Sequence, residues 1–409
     1  MRPEAASLLA HAPLARVLDV LDGDGEEARL VGGAVRNALM QRPVSDHDIA
    51  TTAPPEIVMA RAQAAGLKVK PTGIAHGTVT VLVGRQPFEV TTLREDIETD
   101  GRHAVVCFGR DFAQDALRRD FTINALSLSR DGTIHDYAGG LDDLARRRVR
   151  FIGDPATRIR EDYLRILRFF RFSAEYGEGP LDADGLAAAI ALRDGLARLS
   201  RERVRVELLK LLVARRAAEV TAEIAGTGLL GPLLRSVPQP RRLAAAVALV
   251  PEADAMLRLA ALAAIVPEDA ARLQELLRLS NAEAARLDGA TRVLTRLHVS
   301  REPPPRDTIR GLLFTFGRAA VADGAVLAAA QSGDGAMWSR ALDDVATVAV
   351  PVLPFGADDL IARGLAPGRA LGEALRRLSA LWQAAGFPND KSTQEALLEK
   401  VVATAVDDR

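Results

Sequence analysis

Up to about residue 149, apolar positions switch between the two-residue period of strands and the longer period of helices; beyond that the helical period takes over. Residues 28–31 read as a short strand and 34–40 as the helix after it. Pro55 opens a helix that Gly66 closes, the usual proline-first, glycine-last asymmetry. Residues 78–83 and 88–93 are β-rich runs joined by Gly84-Arg85-Gln86-Pro87, a hairpin signal, and 122–129 and 132–135 are the last strand pieces. From about Pro155 the chain is rich in Ala, Leu and Arg, with breaks near 177–180, 238–240, 303–305 and 351–354. The pattern predicts an α+β chain: a head with a mixed sheet, then an all-helical remainder.

Two helical stretches carry more than fold class. In residues 158–172, a rotation of about 100° per residue gathers Tyr163, Ile166, Leu167 and Phe170 on one apolar face. Glu161, Arg165 and Arg168 fall opposite, flanked by Asp162 and Arg171. Taken alone, that is a solvated face laced by a Glu161–Arg165 pair worth only about 0.2–0.5 kcal/mol. The alanine-rich stretch 243–266 comes nearest to a membrane span, but Pro251, Glu252, Asp254 and Arg258 interrupt it, so a buried helix is expected.

A chain of 409 residues exceeds one ordinary core, so two or more domains are expected. The net charge of −1 argues neither for nor against nucleic acid, because averaging hides any basic surface. The single cysteine, Cys107, excludes an intramolecular disulfide and a cysteine-cluster metal site, and suits a reducing cytoplasm. Residues 1–11 lack a basic segment followed by an apolar core, so no signal peptide is expected and the protein is read as cytoplasmic.

Candidate chemistry concentrates in the head. Gly32 and Gly33 lie where a strand meets a helix, a place where backbone can approach phosphate oxygens, and Arg36 follows one turn later. The same residues also suit a plain tight turn, and no Gly-Lys-Ser/Thr follows to make a P-loop. In a strand, Asp46 and Asp48 share a face while His47 points away, and two convergent carboxylates call for a cation. The alternative is a loop end that caps the next helix. Glu89, inside the β-rich Phe88-Glu89-Val90-Thr91-Thr92, either faces solvent or joins such a cation.

Several strings resemble the tRNA CCA-adding enzyme and bacterial poly(A) polymerase family: Leu30-Val31-Gly32-Gly33-Ala34-Val35-Arg36, Ser45-Asp46-His47-Asp48, Arg118-Arg119-Asp120-Phe121-Thr122-Ile123-Asn124-Ala125, and Glu161-Asp162-x-x-Arg165. The resemblance is detailed over residues 30–210 and architectural beyond. It implies a polymerase-β-like head (1–150), a helical neck with a nucleotide-selecting helix (151–216), and a helical body and tail that bind tRNA (217–409). It implies two magnesium ions on Asp46 and Asp48, helped by Glu89, and a triphosphate held by Gly33, Arg36 and Arg119. Asp162 and Arg165 would read the base, with Glu161 orienting the arginine and Arg168 and Arg171 near the nucleotide. Cytosine and adenine present an amino donor beside a ring-nitrogen acceptor, which a carboxylate and a guanidinium satisfy; uracil and guanine would leave buried groups unpaired. Asp120 and Asn124 are expected to hold the head together. Segment 94–109 resembles the loop that accompanies the switch from CTP to ATP. Asn37 stands where most members carry aspartate, so it is not expected to bind metal.

The activity so implied is addition of C, C and A to tRNA 3′ ends from CTP and ATP, with no membrane or protein partner. A poly(A) polymerase, a partial CC- or A-adding enzyme, and a non-catalytic RNA-binding protein are the alternatives. Poly(A) polymerases carry a markedly basic tail, whereas this sequence ends Ala405-Val406-Asp407-Asp408-Arg409 with a pI near 6.6. Arg286, Arg292, Arg296, Arg310 and Arg318 either track phosphate or simply solvate helix faces.

Overall fold

A computed structural model describes residues 2–74, 77–95, 107–297 and 302–407. The chain divides into two compact units, Met1–Val220 and Thr221–Arg409.

In the first unit the strands are β1 (Ala28–Val31), β2 (Asp48–Thr51), β3 (Lys68–Gly73), β4 (Thr78–Val83), β5 (Gln86–Thr92), β6 (Arg94–Glu95), β7 (Cys107–Phe108), β8 (Ser127–Ser129) and β9 (Ile134–His135). Seven of them form one mixed sheet in the order β3-β4-β5-β2-β1-β8-β9, and β6 pairs with β7 in a separate ribbon. β1 is buried along its length, as expected for a strand with neighbours on both sides. Helices Ala12–Leu21 and Pro55–Ala64 pack on each other and on the sheet. Leu14, Leu18 and Leu21 from the first of them are fully buried, each contributing about 1.5–3 kcal/mol.

The pairing that positions the site is β2 with β5, the only parallel pair in this sheet among the described residues, in which Asp48 stands opposite Glu89. Paired residues on neighbouring strands send their side chains to the same face. Asp46 lies in the irregular segment before the strand begins, so strand alternation does not set its place beside Asp48.

Residues 158–172 are not one helix. Helix Pro155–Glu161 ends at Asp162 (φ −154°, ψ 108°), and helix Leu164–Tyr176 starts again. The cause is local: the Leu164 N–H donates to Asp162 Oδ1 at 3.1 Å and the Arg165 N–H donates to the Asp162 carbonyl at 3.0 Å, so Asp162 caps the new helix. Ile166, Leu167 and Phe170 are buried as expected, with Phe169 beside them. Tyr163 lies against Gly195, where a Cβ would stand 1.9 Å from the ring. Phe121 and Phe151 pack with Phe169 and Phe172 at centroid separations of 4.9–6.4 Å and join the head motif to this helix.

All regular structure described in the second unit is helical. The alanine-rich stretch falls in two helices split at Pro251: Pro240–Leu249, buried on one face at Arg242, Leu243 and Ala246, and Ala255–Ala263, buried from Met256 onward. Arg242 from the first is buried and donates to the carbonyls of Ala260, Ala261 and Ala264 at 2.6–2.8 Å, satisfying the end of the second. Among the described residues, one helix is long and apolar enough to cross a membrane by length and composition: Arg306–Ser332, not the 243–266 stretch. Of its most apolar window, 56% is buried within the protein, and Gly317 kinks it (φ 74°).

Candidate active site

β1 runs into the helix Gly33–Leu39 through Gly32, whose backbone (φ 67°, ψ −120°) is open to glycine and strained for any other residue. A Cβ there would lie 2.8 Å from Arg119 Nη1, so the glycine also makes room for that guanidinium. Gly33 has no such constraint; its nearest neighbour would be Arg36 Nη2 at 3.6 Å.

Arg36 is buried, and its own polar partners are neutral. It donates to Asn37 Oδ1 (3.1 and 2.8 Å), to Asn124 Oδ1, and to the Tyr176 hydroxyl (2.8 Å). Burial pulls its pKa below the ordinary value. Asn37 thus supports Arg36, and its Nδ2 donates to the Pro43 carbonyl at 3.2 Å.

Asp46, Asp48 and Glu89 approach one another. Asp48 is open to the cavity on one side, yet the protein around it displaces much of its water. That desolvation, then Glu89, then Asp46 raise its pKa, against a smaller opposing pull from Arg119. The donors are hard oxygens, and a cation among them would relieve the repulsion; this set suits magnesium completed by water and phosphate. Among the described residues no three His, Cys, Asp or Glu side chains group tightly enough to hold one ion alone. His47 turns away as expected, stacking on His11 (5.2 Å, 8° between planes) and tilted against Phe88.

Arg119 donates to Asp115 Oδ2 from Nε (3.2 Å) and Nη2 (3.0 Å), and to the Asn124 carbonyl from Nη1 (3.3 Å). Asp120 accepts from Asn124 Nδ2 (2.9 Å) and from Arg168 Nε (2.8 Å), tying the head motif to the helix Leu164–Tyr176. Arg171 is paired with the buried Glu207, which also lies 3.7 Å from Arg168. Arg165 donates to Glu161 and to the Arg158 carbonyl (3.0 Å). Asp162 Oδ2 accepts from Arg203 Nη2 at 2.6 Å.

One cavity of about 740 Å³ collects most of these groups. Gly33, Arg36, Asp46, Asp48, Arg119, Asp162, Arg165, Arg168 and Arg171 line it; Glu89 and Glu161 do not. Seven basic and four acidic side chains line it, and Asp115, Glu161 and Glu207 behind the lining pair with Arg119, Arg165 and Arg171. Sequence reasoning did not single out Arg203 or Lys210 as lining, nor Asp115 and Glu207 as anchors. Arg203 and Lys210 lie on the helix Arg201–Val213, capped by Ser200, and nothing in the sequence marks which of its residues turn inward. Segment 94–109 falls mostly outside the described residues. Of the basic residues noted further along, Arg286 is bound to Asp323 and Asp254, Arg292 to Asp288, and Arg318 to backbone carbonyls, all contacts within the second unit.

Residues 28–150 match the poly A polymerase head domain, and 181–239 match a probable RNA and SrmB-binding site of polymerase A. The class is therefore that of poly(A) polymerase-type heads followed by an RNA-binding segment. CCA tRNA nucleotidyltransferase 1, mitochondrial, of Danio rerio is 34% identical over 392 residues, covering 89% of this chain and 85% of the relative. The CCA-adding enzyme of Leuconostoc citreum is 43% identical over 204 residues, 49% of each. A crystal structure of the Bacillus stearothermophilus CCA-adding enzyme in complex with CTP superposes with a TM-score of 0.73 at 28% identity over the full length of both chains. The chain belongs to the CCA tRNA nucleotidyltransferase family.

Proposed function

We propose that this protein adds C, C and A to the 3′ ends of tRNA, using CTP and ATP without a nucleic-acid template and releasing pyrophosphate. One observation carries the reading: a single cavity is lined by the glycine turn, two carboxylates, Arg36, Arg119, Asp162 and Arg165. Relatives of known structure in complex with CTP and with ATP support the choice of nucleotides.

In this reading residues 1–150 are the head, 151–216 the neck, and 217–409 the body and tail that carry the tRNA. Gly33, Arg36 and Arg119 hold the triphosphate. Asp46 and Asp48 would hold magnesium, helped by Glu89; when bound, the ions supply Lewis acidity at the α-phosphate and leaving pyrophosphate. Asp162 accepts the amino hydrogen of cytosine or adenine, and Arg165 donates to the ring nitrogen. Glu161 holds Arg165 in place, and Arg168 and Arg171 add positive charge from the same wall. The reducing cytoplasm is the proposed compartment; relatives include mitochondrial forms as well as bacterial ones.

The test is extension of tRNA transcripts ending before CCA, after C and after CC, with CTP, ATP or both, and an unstructured RNA as control. Completion to CCA on tRNA alone is the expected result. Long adenosine tails on either RNA would make this a poly(A) polymerase. Stalling after CC, or extension of the CC-ended RNA only, would make it a partial enzyme.

A further inference from the structure

Asp115 belongs to no motif singled out above, and it does not line the cavity. It lies on the short helix Phe112–Leu117, with 13% of its side chain exposed, and its two oxygens serve two different arginines. Oδ2 accepts from Nε and Nη2 of Arg119, the side edge of that guanidinium. Oδ1 accepts from Arg118, whose Nη1 donates in turn to the Arg94 carbonyl at 2.9 Å, at the start of the β6–β7 ribbon. Burial raises the Asp115 pKa, but Arg119 and Arg118 outweigh it and the net shift is downward, as expected of a carboxylate held between two cations.

The consequence lies in what remains of Arg119. A guanidinium has five N–H groups in a fixed planar fork. Among the described residues, Asp115 and the Asn124 carbonyl account for three, leaving one N–H on Nη1 and one on Nη2. Two such groups can donate to the oxygens of a phosphate, and Nη1 sits where a Cβ on Gly32 would collide with it.

We propose that Asp115 is the positioning residue for the triphosphate arginine: by taking the side edge of Arg119 it presents the remaining N–H groups to a phosphate over the glycine turn. This rests on the assignment of Arg119 to the triphosphate. Charge and orientation make opposite forecasts for the isosteric variant Asp115→Asn. It removes a negative charge beside an anion site, which by charge alone would tighten binding. It also loosens the grip on Arg119, which weakens binding by about tenfold if one charge-assisted contact is lost.

The experiment is calorimetric binding of inorganic tripolyphosphate to the whole protein without divalent cation, alongside KM and kcat for CTP and a thermal melt. Orientation predicts weaker tripolyphosphate binding and a raised KM in D115N, with kcat changed less and the melt close to wild type. D115E, which restores the carboxylate, should recover part of the affinity even if D115N folds poorly. R118M keeps both bonds from Arg119 to Asp115 and should bind within about twofold of wild type. Unchanged or tighter binding in D115N overturns the proposal, and so does an R118M defect equal to that of D115N. If R119M itself binds tripolyphosphate normally, the assignment of Arg119 is what fails; if R119M loses binding and D115N does not, only the role of Asp115 falls.

Discussion

The two glycines of the turn should respond oppositely to alanine, although sequence presents them as equivalents. Gly32 holds φ 67° with ψ −120°, a region that side chains avoid at a cost of about 1–3 kcal/mol. Its new Cβ would also meet Arg119 Nη1 at 2.8 Å. That contact adds to the cost, because the same Nη1 donates to the Asn124 carbonyl at 3.3 Å, and it pushes the guanidinium away from the turn. For a cooperative unit spanning Met1–Val220, about 2 kcal/mol corresponds to a fall in Tm of about 4–8 °C. Gly33 already has a helical, negative φ, and its Cβ would find only an ordinary contact at 3.6 Å. Gly33→Ala should leave Tm unchanged or raise it slightly, by up to about 1 kcal/mol of reduced chain entropy. Any loss of CTP affinity in G33A then reports closeness of the phosphate to the backbone and not misfolding. Differential scanning calorimetry with CTP titration separates the two effects. A G32A protein that melts with wild type and binds CTP normally would refute both the strain argument and the placement of Arg119 over the turn.

Three further outcomes follow from the same geometry. Asp48 has its pKa raised in the fold by desolvation, Glu89 and Asp46, so the folded chain binds its proton more tightly than the unfolded chain. Ionised Asp48 therefore costs stability above that pKa, and the cost fades as pH falls through it. D48N should melt above wild type near about pH 8 in EDTA, the gap closing towards acid pH, and magnesium should raise the wild-type Tm only; a lower D48N melt at high pH would sink the argument. Asp162→Ala should reduce preference for CTP over UTP by about 10- to 100-fold in single-nucleotide extension, the worth of one unsatisfied buried contact, and an unchanged ratio would place base selection elsewhere. Arg242→Met strands three carbonyls that now accept from the guanidinium, so the second unit should lose about 3–5 kcal/mol in urea unfolding, and a loss under about 1 kcal/mol would show that water replaces the contacts.

Local rules made some elements legible and tertiary contacts hid others. β4 and its hairpin partner could be read because β-branched residues flank Gly84-Arg85, the residues that turn between Val83 and Gln86. β3 could not: it is a largely exposed edge strand carrying Lys68, Lys70 and Pro71, the composition that guards an edge and that reads as loop. The break at Asp162 was hidden by the continuity of the apolar stripe, which runs on through the interruption. Its local signal was present, an aspartate ahead of Leu164-Arg165-Ile166-Leu167, and it was outweighed by periodicity.

The cavity was legible to the extent that its residues come in strings, since each string brings its members to one place. What no string contains is the set of partners that fix the charges. Asn37 is adjacent to Arg36, yet its role is apparent only once Asn124 and Tyr176, distant in sequence, close around the same guanidinium. Glu207 reaches Arg171 across two helices, and Arg203 reaches Asp162 the same way. Arg168, Arg171 and Arg203 each carry a carboxylate partner in the fold, whereas the hydrogen bonds of Arg36 end on neutral oxygens. Among the described residues Arg36 is thus a buried cation without its own carboxylate, and a phosphate delivered to the cavity is the anion that would complete it. Arg36 should therefore be the residue whose stability contribution changes most on ligand binding. Tripolyphosphate should raise the Tm of wild type more than that of Arg36→Met, and equal increments would show that the neutral oxygens already satisfy the guanidinium.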